Sequence, residues 1–258
     1  MRLRLLPSSF PGSSPVVSAP RVPAQPLTSF VVEGAGAGPL AVDAGSLGLV
    51  GEPTEMARIA GLVLTHAHID HVASLPMWVE ALLSLDRAPV RVHASAGAIE
   101  VLRAHLFSGP LFPDFEALRE PDGRPLMELV PFPVGDPFEL AGFQVAAFPV
   151  AHPGPTHGLV VDDGEDAVLF GADSGPCDAL WEAAARAPRL RAVVLEASFP
   201  ERMQAILMAS AISDNNTTIS NQSSSHLDSY GAGRLNAYKA AFNFGGNTYN
   251  SWDWENNG

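Results

Sequence analysis

A chain of 258 residues, 47% of them apolar, is long enough for one large domain or two small ones and has enough apolar material for a folded core. With 28 acidic against 15 basic residues its net charge is −13, a field that repels nucleic acid backbones and anionic membrane surfaces and excludes both as expected partners. The single cysteine, Cys177, excludes an intrachain disulfide and fits a reducing compartment, the cytoplasm.

In chain order, Leu3 and Leu5 alternate with Arg2 and Arg4, which predicts a first strand. Pro7 and two serines interrupt this MRLRLLPSSF start before a signal-peptide core of about 7 to 15 residues develops. The proline-rich stretch 7–26 reads as a loop, and 28–32 and 40–42 are short β-prone runs between Gly/Ala/Pro turns. From Glu52 the pattern predicts a helix over 53–59, a strand over 62–64, a helix over 76–85, a strand over 90–93 and a helix over 96–107. Prolines break 110–125. Strand-like runs then return at 126–130, 138–150, 158–161 and 167–170, with Asp162, Asp163 and Gly164 as a hairpin turn between the last two. A helix over 179–187 and a strand over 191–195 close the series. Strands, helices, strands, helices is the order of an α/β protein built as a two-sheet sandwich flanked by helices. No run approaches the roughly 18 apolar residues of a membrane helix.

Residue usage changes sharply along the chain. Residues 1–212 contain no asparagine, lysine or tyrosine, and the rest holds all of each, including Asn215, Tyr230 and Lys239. Such a change suggests a separate domain, a disordered tail or a joined segment of foreign origin.

Directly after the apolar run 61–64, residues 66–71 read HAHIDH, which concentrates three of the chain's eight histidines and an aspartate in six positions. His66 and His68, one residue apart, share a face on a strand, and past a strand's end a tight loop can direct both at one point. Asp70 and His71 can then serve a second point nearby. Imidazole and carboxylate are ligand types for zinc, or for iron or manganese with more oxygen donors. The alternative, a helix N-terminus capped by Asp70 with solvated histidines, does not account for the concentration of histidine. A metal would also supply the local positive charge that a small anionic substrate needs on so acidic a protein.

Preceded by AVDAG with Asp43 and followed by VAHPG with His152 and LFGADSG with Asp173, the cluster resembles the metallo-β-lactamase superfamily in order and spacing over roughly residues 1–204. That resemblance implies an αββα sandwich. THAHIDHVASLP, the opening MRLRLL and LEASFPERMQ resemble, more narrowly, the class II cyclic-nucleotide phosphodiesterase branch. Ile69 departs from that branch's usual leucine, and Leu75 and Pro76 replace its small-residue ending. What the resemblance implies is a dinuclear hydrolase with two zinc ions, iron or manganese being the alternatives. His66, His68 and His152 would hold one ion, Asp70 and His71 the second, and Asp173 would bridge both. A hydroxide generated between the ions would attack a phosphodiester such as a 3',5'-cyclic nucleotide; a thioester or a lactam is the alternative substrate for the same centre. Asp70 and His157 are the catalytic candidates, His157 through contact with substrate or protonation of the leaving oxygen. A loop histidine without a role is an equal reading of His157. Asp43 either orients ligands or is a turn aspartate before Gly45. His93 and His105 read as structural, Cys177 as an inert thiol, and Glu196 as a candidate to line the site.

The superfamily resemblance also implies a further histidine for the second ion soon after residue 204. The chain instead runs into a segment, DSYGAGRLNAYKA within it, that resembles the C-terminal end of subtilisin-like proteases without their catalytic serine, aspartate or histidine motifs. Proteolysis is therefore not implied. The chain divides into a metallo-β-lactamase-like domain, 1–204, and a foreign-looking tail, 205–258, with the appearance of a chimera. His226 is the one histidine beyond His157 and so the one candidate for the second ion's last ligand. Without it, a catalytically crippled metal-binding chimera is the alternative function. The apolar faces serve a core as well as an interface, which leaves the oligomeric state open.

Overall fold

The computed structural model describes residues 1–6, 27–49 and 51–195; Glu196, His226 and the whole tail lie outside the described residues. A first sheet has the order β1 (Arg2–Leu5), β2 (Phe30–Glu33), β3 (Leu40–Val42), β4 (Gly61–Val63), β5 (Val90–Ala94), β6 (Met127–Pro131). The second has the order β11 (Leu190–Val194), β10 (Ala167–Phe170), β9 (His157–Asp162), β8 (Phe143–Pro149), β7 (Phe138–Leu140). Strands β3 to β6 are parallel, so each connection needs a crossover, and helices supply it. α1 (Pro53–Met56) joins β3 to β4, α2 (Ile69–Val72) and α3 (Leu75–Leu83) join β4 to β5, and α4 (Ala96–Val101) follows β5. α5 (Asp178–Arg186) joins the parallel pair β10 and β11.

The period-two alternation of side chains sorts the apolar residues into layers. Leu40, Val42 and Val63 of the first sheet pack between the sheets against Phe143, Val145, Leu159, Val161, Val168 and Phe170 of the second. Their neighbours Ala41, Leu62 and Leu64 turn outward onto Trp78, Val79, Leu82 and Leu102. On the far side, Phe148, Leu169 and Val193 cover Leu180, Ala183 and Ala184 of α5. The result is the helix, sheet, sheet, helix sandwich expected from the order of elements. Among the described residues no helix is long and apolar enough to cross a membrane.

Three elements differ from the sequence expectation. The run 138–150 is a hairpin, β7 and β8, turning on Ala141 and Gly142 at φ 56° and 90°; alanine at the first of two positive-φ positions carries no turn signal. The helix expected over 53–59 is a single turn that Pro53 begins. The one expected over 96–107 starts under a Ser95 cap that accepts from the Ala98 N–H at 3.2 Å, then widens into a π-helical turn over Leu102–Leu106.

Phe143 is fully buried between the sheets. Its replacement by alanine opens a cavity there and is expected to cost about 3–5 kcal/mol in urea denaturation. A loss below about 1 kcal/mol would contradict the packing described.

Candidate metal centre

The site lies where strands of both sheets end at one edge. β3 ends at Val42 before Asp43, and β4 ends at Val63 before the HAHIDH loop. In the second sheet β8 and β10 both run antiparallel to β9, hence parallel to each other. Their ends therefore deliver His152 and Asp173 to the same side. The β9 start, paired Pro149 to His157, falls at that edge too, and the His157 N–H donates to the Thr65 carbonyl at 3.1 Å, tying the second sheet to the end of β4.

Backbone hydrogen bonds lace the loops after β3 and β4 together. Ala44 N donates to the His71 carbonyl at 2.7 Å, Ser74 N to the Ala44 carbonyl at 3.0 Å, and Thr28 N to the Asp70 carbonyl at 2.9 Å. Gly45 is required for this approach: a Cβ there would lie 1.9 Å from the Asp70 carbonyl oxygen and 2.6 Å from Thr28 N. The sequence motif AVDAG is thus a packing device for the short helix α2 that carries Asp70 and His71.

The histidine and aspartate side chains converge in two groups. His66, His68, His152 and Asp173 form one and Asp70, His71 and Asp173 the other, with the ligand atoms of each group within 4.8 Å of one another. Asp173 faces both: Oδ2 lies 3.8 Å from His66 Nε2, and Oδ1 lies 3.1 Å from His71 Nε2. His68 Nδ1 and His152 Nε2 approach to 3.0 Å, and Asp70 Oδ2 is 3.6 Å from His71 Nε2. The residues that the sequence singled out as ligands, His226 aside, are therefore brought together. His157 is in neither group; its ring stands edge-on to Phe132 at 5.8 Å. His93 stacks on Phe138 at 6.4 Å and His105 is exposed in the π-helical turn.

Asp43, undecided from sequence, is a buried carboxylate with a structural assignment. Its backbone is left-handed at φ 61°, which aspartate tolerates better than most residues. Oδ1 accepts from Thr65 N at 2.8 Å, Oδ2 accepts from His71 Nδ1 at 2.8 Å, and the Thr65 hydroxyl donates to the same carboxylate. His71 is thereby held with Nδ1 protonated and Nε2 toward Asp70 and Asp173. Sequence reasoning missed Thr65, and also Ala172, whose positive φ of 52° turns the chain just before Asp173.

The electrostatics fit a cation. Burial, and then the neighbouring His71, push the His66 ring down to about 4, so it is neutral. Burial pulls His71 down as well, but the charge of Asp43 and the hydrogen bonds to Asp173 and Asp43 outweigh it and push the ring up to about 10. Burial pushes the Asp173 carboxyl up, yet the His71 hydrogen bond and the charges around it hold it below the usual carboxylate range. The carboxylates thus attract positive charge, and a proton on His71 or a metal ion can supply it. His66 Nε2 is buried with no hydrogen-bond partner, a lone pair facing Asp173 whose desolvation a metal ion would offset. The donor chemistry, imidazoles with a shared carboxylate, is that of a site for zinc or a similar divalent ion.

A two-sheet sandwich between helices, with histidines and aspartates gathered where strands of both sheets end, defines the metallo-β-lactamase fold. The chain belongs to the β-lactamase superfamily: the family model described as the beta-lactamase superfamily domain matches residues 43–238. Among solved structures it is similar to the metallo-beta-lactamase fold protein YhfI from Bacillus subtilis, at 17% identity and a TM-score of 0.53, over 76% of this chain and 71% of that one. It is similar to Zn2+-bound PqqB from Methylobacterium extorquens at 16% identity and a TM-score of 0.50, over 76% and 72% of the two chains. It is also similar to a diphosphatase from the PhnP family at 19% identity and a TM-score of 0.51, over 81% and 82%. At these identities the likeness is one of fold. No curated protein matches the chain.

Two predictions follow from this geometry. His66, depressed to about 4 from 6.5, favours the unfolded state as pH falls below 6.5, and His71, raised from 6.5 to about 10, loses its stabilising contribution as pH rises from 6.5 toward 10. Chelator-treated protein should therefore be most stable near pH 6.5 in urea titrations between pH 5 and 9, falling on both sides by on the order of a few kcal/mol at most. Added zinc should remove the alkaline fall, since an ion replaces the His71 proton; a flat profile without metal would contradict the assignment. Separately, Gly45→Ala should displace the Asp70 loop and weaken zinc binding by roughly tenfold or more in chelator competition, while unchanged affinity would show that the close approach is unimportant.

Proposed function

We propose that the protein is a dinuclear metal-dependent hydrolase of phosphodiesters, with a 3',5'-cyclic nucleotide as candidate substrate and the reducing cytoplasm as its place of action. The observation that carries this reading is Asp173, which offers one carboxylate oxygen to each of two donor groups. His66, His68 and His152 would hold one ion with it, and Asp70 and His71 the other. Divalent ions held there would supply Lewis acidity toward the phosphoryl oxygens and lower the pKa of water toward neutrality.

The chain's own residues do the rest. Asp43 holds His71 in the tautomer that presents Nε2. The Asp70 side chain is 44% exposed beside His71, so it is placed to accept a proton from an attacking water. His157, at the start of β9, borders the same edge. Burial holds it below its usual range and leaves its ring neutral at pH 7, so contact with substrate suits it better than proton donation. A phosphodiester is the substrate class we assign because the motif context THAHIDHVASLP resembles the phosphodiesterase branch and because a net charge of −13 makes an anionic ester depend on the ions for attraction. A protein of similar fold is described as a diphosphatase from the PhnP family, which is compatible with this assignment.

A second reading, a metal-binding protein without turnover, draws on the asymmetry of the groups: four donors at one, three at the other among the described residues. His226 is the proposed additional ligand that would even them.

The test is hydrolysis of bis(p-nitrophenyl) phosphate and of a 3',5'-cyclic nucleotide by zinc- or manganese-loaded protein, with a thioester and a lactam alongside. Phosphodiester turnover is expected, reduced about a hundredfold or more by Asp173→Asn. Turnover of the thioester or lactam alone would reassign the substrate, and bound metal without any turnover would favour the second reading.

A further inference from the structure

Thr65 stands between the two donor groups and touches both. Its hydroxyl oxygen lies 2.9 Å and 3.1 Å from the Asp43 carboxylate oxygens, 3.0 Å from His66 Nδ1 and 3.5 Å from His71 Nδ1. A hydroxyl has one proton to donate and two lone pairs. Asp43 as a carboxylate only accepts, so the proton goes to Asp43. The lone pairs that remain face His66 Nδ1, which must then carry a proton and donate it. In a neutral ring this leaves Nε2 as a bare lone pair. That atom is the one found buried, without a hydrogen-bond partner, facing Asp173.

We infer that Thr65 is a positioning residue for the metal centre: its hydroxyl relays the orienting effect of Asp43 to His66 and sets the tautomer of that ring, so that one buried carboxylate orients a histidine in each donor group. Asp43 acts directly on His71 at 2.8 Å and through Thr65 on His66. The backbone reinforces the arrangement, with Thr65 N donating to Asp43 Oδ1 at 2.8 Å and the Thr65 carbonyl accepting from His157 N at 3.1 Å. These backbone contacts survive a change of side chain. The hydroxyl is therefore separable from the rest of the residue, and valine, of the same shape, removes it alone. The inference rests on the metal-centre reading above only for its consequence; the tautomer itself is a property of the protein with or without an ion.

The experiment is nitrogen-15 NMR of the imidazole rings in chelator-treated full-length protein, with His66 assigned by its loss in His66→Gln. Nδ1–H and a bare Nε2 are expected for His66 in the wild type, and Nε2–H would overturn the inference whether or not any variant folds. Thr65→Val should release His66 to the mixed tautomers of a free ring and weaken binding of the tighter zinc ion about 10- to 100-fold in chelator competition, while Thr65→Ser restores both. Wild-type tautomer and affinity in folded Thr65→Val would overturn it. Should the wild type bind no zinc, the metal-centre reading fails and the NMR result still decides the role of Thr65.

Discussion

A carboxylate that is 1% exposed must find donors for its oxygens or take up a proton, and Asp43 finds three: the Thr65 amide, the Thr65 hydroxyl and His71 Nδ1. The site depends on this one satisfaction problem. It pins the loop after β3 to the loop after β4 and fixes which face His71 presents. It also leaves the nitrogens on the other side of the rings facing Asp173. Removing any one of the three donors would leave negative charge buried beneath the histidines, so the ligand loop and the core beneath it are constrained together.

The sandwich supplies the second constraint. Neither sheet alone holds a complete set of donors: the first contributes His66, His68, Asp70 and His71, and the second contributes His152 and Asp173. Packing of Leu40, Val42 and Val63 against Phe143, Leu159 and Phe170 sets the distance between the sheets. Because β3, β4, β8 and β10 end at one edge, chain direction places acidic and imidazole groups opposite each other without a long loop. The functional groups thus sit just past strand ends, on short turns and on the single-turn helix α2, an arrangement that holds geometry better than free loops.

Much of this was legible in the sequence, for identifiable reasons. HAHIDH packs its donors into six residues, so their convergence needs only local geometry, and the order of β-prone and helical runs follows the layers because the apolar positions alternate with period two. His152 and Asp173 were legible only by resemblance, since nothing local to VAHPG or GADSG points 84 or 102 residues back to His68 and His71. Asp43 stayed undecided because an aspartate before glycine reads equally as a turn. Its role comes from a left-handed backbone and partners 22 and 28 residues away. Thr65 gave no signal, since a β-branched residue at a strand end is unremarkable until its hydroxyl is seen between a carboxylate and a ring. The turn at Ala141 and Gly142 was hidden by alanine in a conformation that favours glycine.

The central claim, that one aspartate joins two ion sites, is tested most directly by zinc-edge anomalous diffraction from crystals of the full chain grown with zinc. The account predicts two peaks on either side of the Asp173 carboxylate, one among His66, His68 and His152 and the other beside His71 and Asp70. Zinc bound away from Asp173, or a single ion coordinated without it, would contradict the account.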